Sequence, residues 1–156
     1  LGTMGFALPA AIGARFARKD DEIWVVAGDG GFQMTACELS TCAQEGIKLN
    51  VAIINNGYLG MVRQWQELFY DRRYAATPMQ SPDFVKLAEA HGLAGIRCSE
   101  RGEVRATIEA ARARAGTVVV DFRVAAEENV YPMVPSGGDI GSMIRRPDAN
   151  PDAKVA

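Results

Sequence analysis

Apolar positions along this chain alternate between a helical period and short continuous runs. Phe6, Ala10, Ile12 and Phe16 fall at roughly helical spacing and predict a first helix over residues 4–18, with Pro9 marking a kink or a short non-helical entry. The run 23–27 predicts a buried strand. Thr35 followed by Glu38 has the capping-box form, so a helix is expected from there to about residue 45, with Gly46 at its C′ position. Residues 49–54, rich in β-branched side chains, predict a second strand. Leu59, Val62, Trp65, Leu68 and Phe69 share one face of a helix predicted over 58–70, and a polar loop follows over 71–81. Ser81-Pro82-Asp83 opens another helix, with Pro82 expected at its first position, that ends near His91 and Gly92. A short strand (95–98), a charged amphipathic helix (103–115) stopped by Gly116, and a strand over 117–124 complete the pattern. Beyond Ala125 periodicity is lost, so residues 126–156 read as an extended tail on a domain spanning 1–125, wrapping over the domain or a partner. Strands alternating with helices predict an α/β fold: an open parallel sheet with helices on both faces.

Two turn-like motifs fall at the ends of the first two strands. Gly28-Asp29-Gly30 follows the first, Asn55-Asn56 follows the second, and residues 31–54, 24 in all, separate them. In an open parallel sheet ligands bind at the carboxyl ends of the strands, so Asp29 and Asn56 are placed to meet over one ligand. A dinucleotide fingerprint fails: position 33, where a third glycine is needed, is Gln33, and no acidic residue lies about 20 residues on, where Leu49-Asn50-Val51 stands. A carboxylate beside phosphates needs a cation between them. Mg²⁺ suits a charged oxygen from Asp29, a neutral one from Asn56 and a backbone carbonyl just beyond, while the glycines let backbone N–H groups approach phosphate.

Composition narrows the setting. With 48% apolar residues and a net charge of −2, the chain is an ordinary globular one, with no basic excess for nucleic acid or an anionic membrane surface and no apolar stretch long enough to span a membrane. Cys37, Cys42 and Cys98 have no ligand spacing and read as small buried hydrophobes in a reducing compartment. His91 reads as helix-terminal, Glu38 and Glu45 as cap and surface, and Arg63 and Arg72 as solvated cations. The chain opens at Leu1 in what reads as mid-structure, so it is expected to be the C-terminal piece of a longer protein.

GDG, 24 residues, then NN is the motif of thiamine-diphosphate-dependent enzymes. Tyr58-Leu59-Gly60-Met61-Val62-Arg63-Gln64-Trp65-Gln66-Glu67 resembles the acetohydroxyacid synthase (acetolactate synthase) large catalytic subunit in particular. So do Leu1-Gly2-Thr3-Met4-Gly5-Phe6, Ser81-Pro82-Asp83-Phe84 and Glu127-Glu128-Asn129-Val130-Tyr131-Pro132-Met133-Val134. The resemblance covers nearly the whole chain and corresponds to the C-terminal thiamine-diphosphate-binding domain. It implies Mg²⁺ on the side chains of Asp29 and Asn56 and the carbonyl of Tyr58. It implies a cofactor site of Gly2, Met4, Gly28, Asp29, Gly30, Gly31, Asn56, Tyr58, Gly60 and Met61. Gly30 and Gly31 would give backbone N–H groups to the diphosphate, and the family often has Ser where Gly31 stands. Met4 would hold the cofactor bent, while Met61 and Trp65 would wall the acceptor pocket. No catalytic side chain is then expected in this chain, because the activating glutamate and the FAD-binding domain would lie upstream of Leu1, and these 156 residues alone are expected to lack carboligase activity.

The implied reaction decarboxylates pyruvate and joins the remainder to a second 2-ketoacid, pyruvate or 2-ketobutyrate, in branched-chain amino-acid biosynthesis. Full-length chains would form a homodimer or homotetramer, with a possible small regulatory subunit, in the cytoplasm or an organellar stroma or matrix. Two alternatives stay open: another thiamine-diphosphate enzyme (2-ketoacid decarboxylase, pyruvate oxidase, glyoxylate carboligase), or a cofactor-binding module without catalysis.

Overall fold

A computed structural model describes residues 2–147; the end of the expected tail, 148–156, lies outside the described residues. Four parallel strands, β1 (Trp24–Gly28), β2 (Asn50–Asn55), β3 (Ala94–Cys98) and β4 (Val118–Arg123), form one sheet in the order β1-β2-β4-β3. The helices are α1 (Ala7–Ala17), α2 (Asp29–Gln33), α3 (Leu39–Gln44), α4 (Gly60–Phe69), α5 (Phe84–Ala90) and α6 (Val104–Arg112).

The two faces of the sheet are covered unequally. Alternate strand residues point to opposite faces. On one face Val25, Val51, Ile53 and Val119 meet Leu8 and Ile12 of α1, Phe32 of α2, Leu39 and Cys42 of α3 and Phe84 and Ala88 of α5 in the main core. Phe32 and Phe84 pack edge to face at 5.6 Å, which ties the short helix after β1 to the rest of that layer. On the other face α6 covers β3 and β4 through Ala111, Val118 and Val120. Val26 and Ile54 on the same side of β1 and β2 are exposed. The predicted buried strand at 23–27 is therefore an edge strand in which only Val25 is buried, because β1 pairs with β2 alone and has a helical layer on one side.

Other boundaries shift for local reasons. Thr35 makes no capping bond; its hydroxyl donates instead to the Gly5 carbonyl, so a 3₁₀ turn (Ala36–Glu38) precedes α3 and the Glu38 carboxylate accepts from Thr41. Pro82 lies outside α5: Asp83 is its cap, accepting from the N–H groups of Val85 and Lys86. Arg97 and those N–H groups hold the Asp83 carboxyl below its ordinary pKa. Genuine capping boxes form instead at Glu100 with Glu103, ahead of α6, and at Asp139 with Ser142 in the segment after β4. Cys42 and Cys98 are buried as expected, but Cys37 is exposed on the 3₁₀ turn.

Glycine is required where α5 crosses β3. A Cβ on Gly95 would stand 2.7 Å from Val85 Cα and 2.8 Å from the Val85 carbonyl oxygen, backbone atoms that cannot step aside. Gly95→Ala is expected to lower stability by about 1–3 kcal/mol, read as a drop in urea midpoint at constant slope.

Candidate functional site

The register of β1 and β2 brings the two motifs together. Gly28 pairs with Ile54, so the next residues, Asp29 on one strand and Asn55-Asn56 on the other, leave the sheet side by side at its carboxyl edge. Gly28 caps α2, and Asp29, its first residue, is 1% exposed. Asp29 Oδ2 accepts from the Ser81 hydroxyl at 3.0 Å, and Gln33 Nε2 donates to Ser81 Oγ at 3.3 Å. No cationic side chain pairs with Asp29 among the described residues. A buried carboxylate without a cation is costly, and buried charges are ordinarily paired or bound to metal.

The adjacent asparagines divide their labour. Asn55 is buried and its amide donates to Asp121 Oδ1 on β4 at 2.8 Å, leaving Asn55 Oδ1 without a partner. Arg97 donates to the other Asp121 oxygen. Asn55 therefore clamps two strands together, while Asn56 faces the crevice. Asn56 Oδ1 accepts from the Tyr58 N–H at 3.1 Å, an Asx turn that keeps a second lone pair of that oxygen available. A Cβ on Gly60 would come within 3.1 Å of Asn56 Nδ2, so the glycine that starts α4 lets the amide fit.

Two loops complete the walls. Gly57 to Leu59 runs against residues 77–79, with Leu59 N–H donating to the Thr77 carbonyl and Met79 N–H to the Gly57 carbonyl. On the other side the Gly5 N–H donates to the Gly31 carbonyl, and Thr35 holds Gly5 from below. Gly5 has φ +80, a conformation that favours glycine, and this turn presents Met4 over α2. A Cβ on Gly31 would meet Met4 Cα at 3.7 Å, ordinary contact, so a serine fits there.

The result is a cavity of about 480 Å³. Gly2, Met4, Gly28, Asp29, Gly30, Gly31, Asn56, Tyr58, Gly60 and Met61 all line it. Trp65 does not; it stands one turn further along α4 and is 47% exposed. Arg63 is no solvated cation. It is wholly buried, because Glu67, Tyr74 and Asn129 accept from its guanidinium. Arg72 is exposed, paired with Glu67 at 3.3 Å. Ser81, which holds the carboxylate, and Asn55, which holds the strand ends, are the residues that sequence reasoning missed. Ser81 lies 52 positions from Asp29, and only the fold relates them.

The donors around this cavity are hard oxygens, with glycine backbone beside them. No group of three His, Cys, Asp or Glu side chains able to hold a metal exists among the described residues, so a metal here would need oxygen from its ligand. No helix among the described residues is long and apolar enough to cross a membrane.

Residues 1–122 match the family described as thiamine pyrophosphate enzyme, C-terminal TPP binding domain. The chain is 55% identical over 143 residues to a Mycobacterium leprae protein named acetolactate synthase, covering 88% of this chain and 23% of that protein. It is 49% identical over 143 residues to the acetolactate synthase large subunit of Corynebacterium glutamicum, with the same coverage. The chain thus spans about a quarter of the length of these curated relatives. Among solved structures it is similar to the thiamine diphosphate-dependent 4-hydroxybenzoylformate decarboxylase of Rhodococcus jostii RHA1, with TM-score 0.74 and 28% identity over 81% of this chain and 24% of that one.

Proposed function

This chain belongs to the thiamine pyrophosphate enzymes as their C-terminal, TPP-binding domain, and on that premise we propose that it anchors the cofactor of an acetolactate synthase catalytic subunit. The observation that carries the reading is the buried carboxylate of Asp29, which pairs with no cationic side chain among the described residues and lines a glycine-rich crevice. Mg²⁺ fits this donor set: Asp29 and Asn56 side chains and the Tyr58 carbonyl would hold it, with phosphate oxygens and water filling the remaining positions of an octahedron. Backbone N–H groups of Gly30 and Gly31 would donate to the diphosphate, and Met4 would support the cofactor from the opposite wall.

When bound, thiamine diphosphate supplies the electron sink for decarboxylating a 2-ketoacid and for adding the remainder to a second one. The protein's part is position and exclusion of water. Met61 gives the crevice an apolar wall, and Trp65 extends that wall toward the acceptor. The substrates are pyruvate and a second 2-ketoacid, pyruvate or 2-ketobutyrate, giving 2-acetolactate or 2-aceto-2-hydroxybutyrate for branched-chain amino-acid synthesis. The names of the relatives at 49–55% identity support this branch of the family. By the family resemblance the activating glutamate and an FAD site would belong to upstream sequence, and full-length chains would pair as a homodimer or homotetramer able to take a small regulatory subunit, in the cytoplasm or an organellar stroma or matrix.

The test is product analysis with the full-length protein. Pyruvate alone should yield 2-acetolactate, and added 2-ketobutyrate should be preferred as acceptor. Trp65→Leu should reduce that preference about 10-fold, the scale on which an apolar pocket discriminates one methylene. Simple aldehyde as the main product would instead favour a decarboxylase, the activity named for the structural relative from Rhodococcus.

A further inference from the structure

α4 is an amphipathic helix turned inside out. At about 100° per residue, Arg63 and Glu67 project from the side opposite Met61 and Trp65, with Gln64 between the two sides. Arg63 and Gln64 are its two buried residues, whereas Met61, Trp65 and Phe69 are exposed. Among the described residues no helix or strand packs extensively on α4. Its tethers are polar and come from two segments: the loop that follows it, where Gln66 bonds the N–H and the carbonyl of Ala75 and the Thr77 hydroxyl, and the segment after β4. Arg63 donates to Glu67, to the Tyr74 hydroxyl and to Asn129 Oδ1. Gln64 pairs with the Val130 backbone in both directions, Nε2 donating to the carbonyl at 3.0 Å and Oε1 accepting from the N–H at 2.8 Å. The Tyr74 hydroxyl donates to Glu127 at 2.9 Å. Residues 127–130 are thus bound to α4 and to Tyr74 in the loop that follows it.

Two apolar side chains at 63 and 64 would bury as well, without the desolvation of a guanidinium whose Nε has no partner. They would, however, leave the roll of the helix to the bonds of Gln66 with Ala75 and Thr77 alone. Directional bonds fix it. About 20° of roll moves a side chain at the helix rim, about 5–6 Å from the axis, by about 2 Å, and a misplacement of 1 Å can cost about 100-fold in rate.

We propose that Arg63 and Gln64 are positioning residues for acceptor selection: by pinning residues 127–130 to α4 they set the roll of that helix and hence the reach of Met61 and Trp65 toward the acceptor. The proposal rests on the carboligase reading above. It assigns the tail segment a part in specificity although no residue of that segment lines the crevice.

The experiment compares Gln64→Leu, Asn129→Ala and the conservative Asn129→Gln in the full-length protein. Competition between pyruvate and 2-ketobutyrate gives the product ratio, and hydrogen exchange gives the protection of α4 peptides. The expected result is a ratio shifted at least about 5-fold toward indifference in Gln64→Leu and Asn129→Ala, faster exchange in α4, and the original ratio in Asn129→Gln, whose amide keeps both an oxygen to accept from Arg63 and an N–H group to donate. If Gln64→Leu does not fold, the Asn129 pair decides alone. Faster exchange with an unchanged ratio makes the tethers merely structural and overturns the proposal. Unchanged exchange and ratio overturn it as well. An unsubstituted protein that makes no 2-acetolactate sinks the carboligase reading instead, and acceptor selection falls with it.

Discussion

Asp29→Ala in the full-length protein is expected to raise the Mg²⁺ concentration for half-maximal activity by at least about 100-fold. Loss of groups that merely orient a metal ligand already costs about 10–100-fold, and Asp29 is the one charged ligand in the proposed set. The substitution also removes a buried carboxylate that has, among the described residues, only the Ser81 hydroxyl as side-chain partner. Without metal the variant should therefore be no less stable than the parent. The two effects are diagnostic together: activity falls steeply while the melting temperature of the metal-free protein holds or rises. A carboxylate present only to cap α2 would show the reverse, a loss of stability with little change in metal requirement.

Glu67→Gln is expected to destabilise the protein by about 3–5 kcal/mol, the cost of leaving one member of a buried ion pair alone. Arg63 is fully buried, and Glu67 is its only charged partner among the described residues, at 2.7 Å, with its side chain 13% exposed. Burial by itself raises the Glu67 pKa; the hydrogen bonds and charge of Arg63, with Asn129 and Arg72, outweigh it and leave the carboxyl below its ordinary value. A depressed carboxyl pKa contributes stability that is present above the unfolded value of about 4.5 and is lost as pH falls through the folded one. Urea denaturation of parent and variant should thus differ by the full amount near neutrality and converge in acid. Equal midpoints near neutrality would mean that solvent reaches Arg63.

The cofactor crevice was more legible in the sequence than the helix beside it, for a physical reason. Strand ends in a parallel sheet are fixed in space by short-range patterns, so a glycine–aspartate turn after one apolar run and two asparagines after the next already place Asp29 and Asn56 together. The alternation of strands and helices likewise gave the parallel sheet, since crossovers leave few other arrangements. What failed was inference from polarity to exposure. Arg63 read as a solvated cation, yet Asn129, 66 positions away, accepts from its guanidinium, and no local pattern marks a guanidinium that will be buried. The same limit hid Asn55: its type suits a turn, and only the pairing of β2 with β4 shows that it holds Asp121. Thr35 and Glu38 carried a true capping-box pattern, overridden because Gly5 competes for the threonine hydroxyl.

The central claim is that Asp29 and Asn56 form a metal-dependent clamp for a diphosphate. Titration calorimetry of thiamine diphosphate into full-length protein tests it most directly. Binding with Mg²⁺ present, and at least about 100-fold weaker binding in excess chelator, is the expected result. Equal affinity with and without the metal, or no binding in either case, would contradict it.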